Sequence, residues 1–179
     1  MSNGCLREQP PSPDFLKGWR IKLTTPPASA TESDHFIYEI VREPRDAQGK
    51  FPNSQQMSNI LICLCSTEEE VTALLDTANS SYTVFFEDSS STVSTDVVVN
   101  KNLNPNANPA ACIGIKFDNI PSGPDNNEQN KLVLDLRLTK SVLIGSVRIG
   151  FKAGNSSDIW MNVCGPLCQV PTPSRGILL

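Results

Sequence analysis

Residues 131–138, Lys-Leu-Val-Leu-Asp-Leu-Arg-Leu, carry leucine at every second position. A strand sends successive side chains to opposite faces, so Leu132, Leu134, Leu136 and Leu138 share one face. A helix of about 3.6 residues per turn would scatter them. Similar runs, alternating or rich in strand-forming residues, occur at 19–24, 35–42, 82–87, 93–100 and 111–118. Turn and loop residues separate them, among them Pro26-Pro27, Pro44, the Ser-rich 88–92 and the Gly/Pro/Asn stretch 121–130. The segment Ile60-Leu-Ile-Cys-Leu-Cys65 is apolar throughout and reads as a central strand covered on both faces. Residues 142–153 form a long strand in which Gly145 and Gly150 predict a bulge or bend, and 158–164 form the last strand. About eight to ten short strands divided by turns predict an all-β fold, an antiparallel β-sandwich or jelly roll.

One short helix interrupts the strands. Thr67 stands where an N-cap belongs and Glu70 follows three residues later, the capping-box spacing. Val71, Leu74 and Leu75 give that helix an apolar face. At the ends the character changes. Pro10, Pro11 and Pro13 favour extended chain, so 1–16 reads as a flexible arm, 17–168 as the β-domain and 169–179 as a Pro-rich tail. At 179 residues the chain is long enough to bury one core.

The net charge of −4 comes without a basic cluster, which disfavours nucleic acid as a partner. No apolar run approaches the roughly 18 residues of a membrane span, and no apolar leader follows a basic start. Synthesis in a cytoplasm without a signal peptide is the reading. Dinucleotide and phosphate-loop motifs are absent, so no cofactor is expected. Catalytic residues are not assigned either. The only histidine, His35, opens a strand, no G-x-S-x-G elbow exists, and the acidic residues are scattered.

The six cysteines are Cys5, Cys63, Cys65, Cys112, Cys164 and Cys168, and six allow 15 pairings. Without a leader, reduced thiols are the default. Cys63 and Cys65 then read as core thiols on one strand. Cys5 in the arm, Cys112 after a Pro-rich loop, and Cys164 and Cys168 at the tail read as candidates for disulfides between subunits. No metal is assigned. Cys63-x-Cys65 with Cys164-x3-Cys168 is a poor match to zinc spacing, and a calcium reading of 88–96 competes with an ordinary Ser-rich turn. Trp19 and Trp160 are candidate stacking residues.

Two segments carry a resemblance: 147–154, Val-Arg-Ile-Gly-Phe-Lys-Ala-Gly, and 163–168, Val-Cys-Gly-Pro-Leu-Cys. They resemble the close of β-sandwich domains in Gram-positive surface proteins. The arrangement as a whole is similar to endospore appendage subunits, small jelly rolls with an N-terminal cysteine arm that crosslinks neighbours. The resemblance implies that Cys5 is the arm cysteine. This chain has one arm cysteine instead of an adjacent pair, and it is longer. The resulting expectation is a non-enzymatic structural subunit that self-assembles into a surface fibre or coat. It would lie outside the cell or on a spore surface, released by lysis, where disulfides form. The alternative is a module that binds a surface glycan or protein through loops 45–57, 101–110 and 121–130.

Overall fold

The computed structural model describes residues 4–9, 18–42, 47–48, 55–103, 112–123, 127–154 and 159–169. The fold is all-β and antiparallel with one short helix. In chain order the strands are β1 (Glu8–Gln9), β2 (Trp19–Thr25), β3 (Glu32–Arg42) and β4 (Met57–Cys63). The helix α1 (Glu68–Leu74) follows, then β5 (Ser81–Phe86), β6 (Ser91–Ser94), β7 (Val97–Asn100) and β8 (Gly114–Phe117). The last two are β9 (Gln129–Ala153) and β10 (Ile159–Pro166).

Everything is organised on β9. Its first half pairs with β3 on one side and β5 on the other, Tyr38 and Tyr82 both lying opposite Leu134. Its second half pairs with β10 and β4, Met161 and Ile62 both lying opposite Ile149. The sheet then continues outward through β2 and β1 from β3, through β6 from β5, and through β8 and β7 from β4. One contiguous core draws on both halves, with Trp19, Phe36, Tyr38, Ile60, Phe117, Leu134, Ile149 and Phe151 all buried. Each such side chain contributes about 1.5–3 kcal/mol by leaving water.

The leucine ladder behaves as its spacing requires, with Leu132, Leu134, Leu136 and Leu138 all buried. Two expectations about β9 are corrected. Residues 139–141 do not divide it, and Gly145 and Gly150 mark no bulge, since pairing with β10 runs in register through both. Their reason is space. A Cβ at Gly145 would lie 2.6 Å from the Leu167 side chain, and one at Gly150 would lie 2.6 Å from the Trp160 ring. A third correction concerns 93–100. The chain breaks after Ser94, so that β6 pairs with β5 while β7 pairs with β8.

The arm expected at 1–16 is partly a docked strand. β1 pairs with β2, Glu8 opposite Lys22. Leu23 N donates to Arg7 O at 2.8 Å, and Cys164 N donates to Leu6 O at 2.7 Å. The Arg7 guanidinium donates to the carbonyls of Leu23 and Pro26. Residues 1–3, 10–17 and 170–179 lie outside the described residues, as do 45–46, 49–54, 104–110 and 124–126 of the expected binding loops.

The helix forms where its cap predicts. Thr67 Oγ1 accepts from Glu70 N at 3.2 Å, and the Glu70 carboxylate accepts from Thr67 N at 3.1 Å. Three glutamates in the first turn face the positive end of the helix dipole. Replacing Thr67 by alanine is expected to cost about 1 kcal/mol in urea unfolding. An unchanged midpoint would show that packing of Val71 and Leu74 alone holds the helix.

Both tyrosines of the chain are buried, and burial is the main reason that each phenol is pushed above its ordinary value of 10.0. Tyr38 donates to Cys164 O at 3.1 Å and Tyr82 to Asp118 O at 2.7 Å. The folded state therefore holds these protons more tightly than the unfolded chain does. Their contribution is complete below pH 10 and declines as pH rises above it. An alkaline titration is expected to develop tyrosinate absorbance only together with loss of near-ultraviolet circular dichroism. Titration of either phenol in the folded protein would contradict this.

Candidate functional site

The cysteines supply the most consequential chemistry, and here the expectations are corrected. All six pair within the chain: Cys5 with Cys164, Cys63 with Cys112, and Cys65 with Cys168. No free cysteine remains. Cys63 and Cys65 are thus not core thiols, and Cys5, Cys112, Cys164 and Cys168 already have partners in their own chain. The physical reason lies in topology. Docking of residues 4–9 along β2 brings Cys5 beside β10, with Cα atoms 5.1 Å apart. Cys63 ends β4 next to the start of β8, where it pairs with Gly114, and so meets Cys112. Cys65 and Cys168, just past β4 and β10, meet because both strands flank β9. The Glu70 carboxylate lies with the sulfurs of Cys65 and Cys168, which are bonded to each other and so are not thiolate ligands.

The two tryptophans part company. Trp19 is fully buried, its Nε1 donates to Gln55 O at 2.8 Å, and the Arg42 guanidinium lies 5.6 Å from its ring centroid. It is a core residue and no stacking platform. Trp160 is half-buried, with the Arg148 guanidinium 4.4 Å from its ring centroid.

His35 meets a carboxylate that its sequence context did not disclose. Its Nε2 lies 2.9 Å from Asp135 Oδ1, which also accepts from Arg137 Nε at 3.1 Å. Cross-strand register makes this group, because His35 lies opposite Arg137 and Ile37 opposite Asp135. The nearby Ser33 hydroxyl bonds the His35 backbone, not its ring. Arg137 also lines a small recess of about 360 Å³ with Asp34, Asp76 and Asn79. In the 88–96 stretch, Asp88 Oδ1 accepts from Ser90 N at 2.8 Å, and the hydrogen bonds from Ser90 hold its carboxyl below the usual range. This is a local turn, as the Ser-rich reading expected.

A larger cleft of about 580 Å³ opens on the other half of the sheet, and no motif in the sequence announced it. It is lined by Ser58, Asn59, Lys116, Asp118, Ser122 and Lys152, among others. Strand pairing assembles it, with Asn59 opposite Lys152 and Leu61 opposite Lys116. Lys116 is only 5% exposed, and its Nζ lies 3.0 Å from Asp118 Oδ2. Asn59 is 8% exposed. Its carboxamide lies against Asp118 Oδ1 and Ser58 O, an arrangement that calls for the amide nitrogen as donor to both. A buried lysine and a buried carboxamide therefore share one partly exposed carboxylate.

Among the described residues no helix is long and apolar enough to cross a membrane. Comparison with family models, curated proteins and solved structures returns no match for this chain.

Proposed function

We propose that this chain is a non-enzymatic structural subunit of an oxidising environment, a β-sandwich that assembles with copies of itself into a surface fibre or coat. The observation that carries the reading is the docked arm. Residues 5–9 are held by backbone bonds to Leu23 and Cys164, by β1–β2 pairing and by the Cys5–Cys164 disulfide. Each of those bonds is equally available to the same segment of a second copy, and exchange of an identical element is a low-cost route to assembly. The disulfide that closes one chain would then join two. The three disulfides themselves favour an extracellular or spore-surface setting over a reducing cytoplasm.

The test is to oxidise a mixture of isotopically heavy and light reduced chains and map the disulfides by mass spectrometry. Negative-stain microscopy of the same sample runs in parallel. Mixed heavy–light peptides joining Cys5 to Cys164, together with fibres or sheets that reductant loosens, are expected. Purely intrachain pairs in dispersed monomers would sink the reading. A glycan- or protein-binding module is the second reading, favoured by the polar cleft around Lys152 and Asn59. It predicts dispersed monomers whose ligand is lost on changing Lys152.

A further inference from the structure

The Cys65–Cys168 bridge has a fixed negative charge beside it. We propose that Glu70 is a charge gate on this disulfide, slowing its opening by anionic thiols and admitting neutral and cationic ones. The two sulfurs and a Glu70 carboxylate oxygen all lie within 4.8 Å of one another. Both cysteines are partly exposed, whereas Cys164 of the Cys5–Cys164 bridge is 2% exposed. A small thiol therefore has access to Cys65–Cys168 in the folded chain, and it meets Glu70 there.

A carboxylate on a loose surface side chain samples many positions, and its field on any one neighbour averages down. This one is held. Glu70 Oε2 accepts from Ser66 N at 3.2 Å, from Thr67 N at 3.1 Å and from Thr67 Oγ1 at 3.2 Å. Those donors follow Cys65 directly, so the turn that starts α1 also returns the carboxylate to the sulfurs. Among the described residues no cation pairs with Glu70, while Glu68 in the same turn is offset by Lys101 at 3.5 Å. Neither of the other two bridges belongs to such a group among the described residues, which makes Cys63–Cys112 an internal reference.

Exchange begins with a thiolate, not a thiol. Its sulfur attacks one bridge sulfur, a new S–S bond forms, and the Cys65–Cys168 bond breaks. The electron pair leaves on the other cysteine, which takes a proton from water. A second thiolate attacks the mixed disulfide and frees the first cysteine in the same way. The two cysteines gain two electrons, and two molecules of the attacking thiol are oxidised to their own disulfide. The first step brings an anion up to Glu70, and a like charge held there opposes it. A further negative group on the thiol adds to the opposition, and an ammonium on the thiol reverses its sign. One unit charge at about 5 Å in a mostly aqueous surrounding changes such a rate roughly three- to tenfold at low ionic strength, and salt screens it. The gate acts within one folded chain and does not depend on assembly.

The experiment treats the folded, oxidised chain with glutathione (an anion), mercaptoethanol (neutral) or cysteamine (a cation) at matched thiolate concentrations. Timed alkylation and peptide mapping give the opening rate of each bridge. Relative to Cys63–Cys112, the expected order at Cys65–Cys168 is cysteamine fastest, then mercaptoethanol, then glutathione, with the spread narrowing at high salt. Glu70→Gln keeps a side chain that still completes a capping box. It is expected to raise the glutathione rate roughly three- to tenfold and to lower the cysteamine rate, with Cys63–Cys112 unchanged. Three outcomes overturn the proposal: equal relative rates for the three thiols, a Glu70→Gln effect shared by Cys63–Cys112, or opening at a rate independent of thiol concentration, which would mean that the bridge is reached only by unfolding. The wild-type comparison across thiols and salt decides the question even where the variant fails to fold.

Discussion

Full reduction of the three disulfides is expected to leave the chain without a cooperative folded state at physiological temperature. The bridges close separations of 159, 103 and 49 residues. Each restricts the unfolded ensemble by roughly 2–5 kcal/mol. The effects are not independent. With Cys65–Cys168 intact, the loop that Cys5–Cys164 closes shrinks to roughly 65 residues, a difference of under 1 kcal/mol on a logarithmic scale. Losing all three still removes a sum comparable to the whole stability of an ordinary domain, about 5–15 kcal/mol. Cys5→Ser with Cys164→Ser is expected to cost roughly 2–5 kcal/mol alone, and more if two hydroxyls at a site where Cys164 is 2% exposed stay unpaired. Urea unfolding with and without reductant measures both. A reduced chain with the same transition midpoint would mean that the β9-centred core suffices unaided.

The second large effect lies at Gln129, where the side chain replaces missing backbone pairing. It is fully buried. Its Oε1 accepts from Met57 N at 2.6 Å, and its Nε2 donates to Met57 O at 2.8 Å and Pro121 O at 2.7 Å. The Gln129 carbonyl in turn accepts from Arg42 Nη1 at 3.0 Å. This amide satisfies the first residue of β4 and the loop after β8 at once. Gln129→Leu keeps the volume and removes all three side-chain bonds, leaving the two buried backbone groups of Met57 and the half-buried Pro121 carbonyl without their partner. At about 1–3 kcal/mol for each group left unsatisfied, the expected loss is roughly 3–6 kcal/mol. A loss below about 1 kcal/mol would show that water takes over the bonding.

The contrast between these two sites shows what the sequence discloses. Alternation disclosed β2, β3, β5 and the first half of β9, because a half-buried strand needs no information beyond its own residues. The cap of α1 is likewise local, with Thr67 and Glu70 three apart. What stayed hidden depends on register between distant strands. Gln129 is 72 residues from Met57, and Asp135 is 100 residues from His35. Cysteine spacing assigned reactivity by position in the chain, and the fold then placed residue 5 beside residue 164. The Lys116–Asp118–Asn59 group was invisible for the same reason. Two of its members look like ordinary alternating strand residues, and the third stands immediately before the apolar run 60–65.

The place of β9 in the chain also governs the order in which the protein can be made. Synthesis runs from the N-terminal side, so β2 to β8 are complete before Gln129 exists. Until then β3 and β5 lack the strand that lies between them, and β4 lacks one of its two neighbours. Four cysteines are present by that stage, and only Cys63 and Cys112 among them are eventual partners. Cys5 and Cys65 wait for Cys164 and Cys168, which arrive last. An oxidising environment met too early therefore offers Cys5 and Cys65 to each other, and a nascent chain so joined must be reshuffled before its central strand can thread into place.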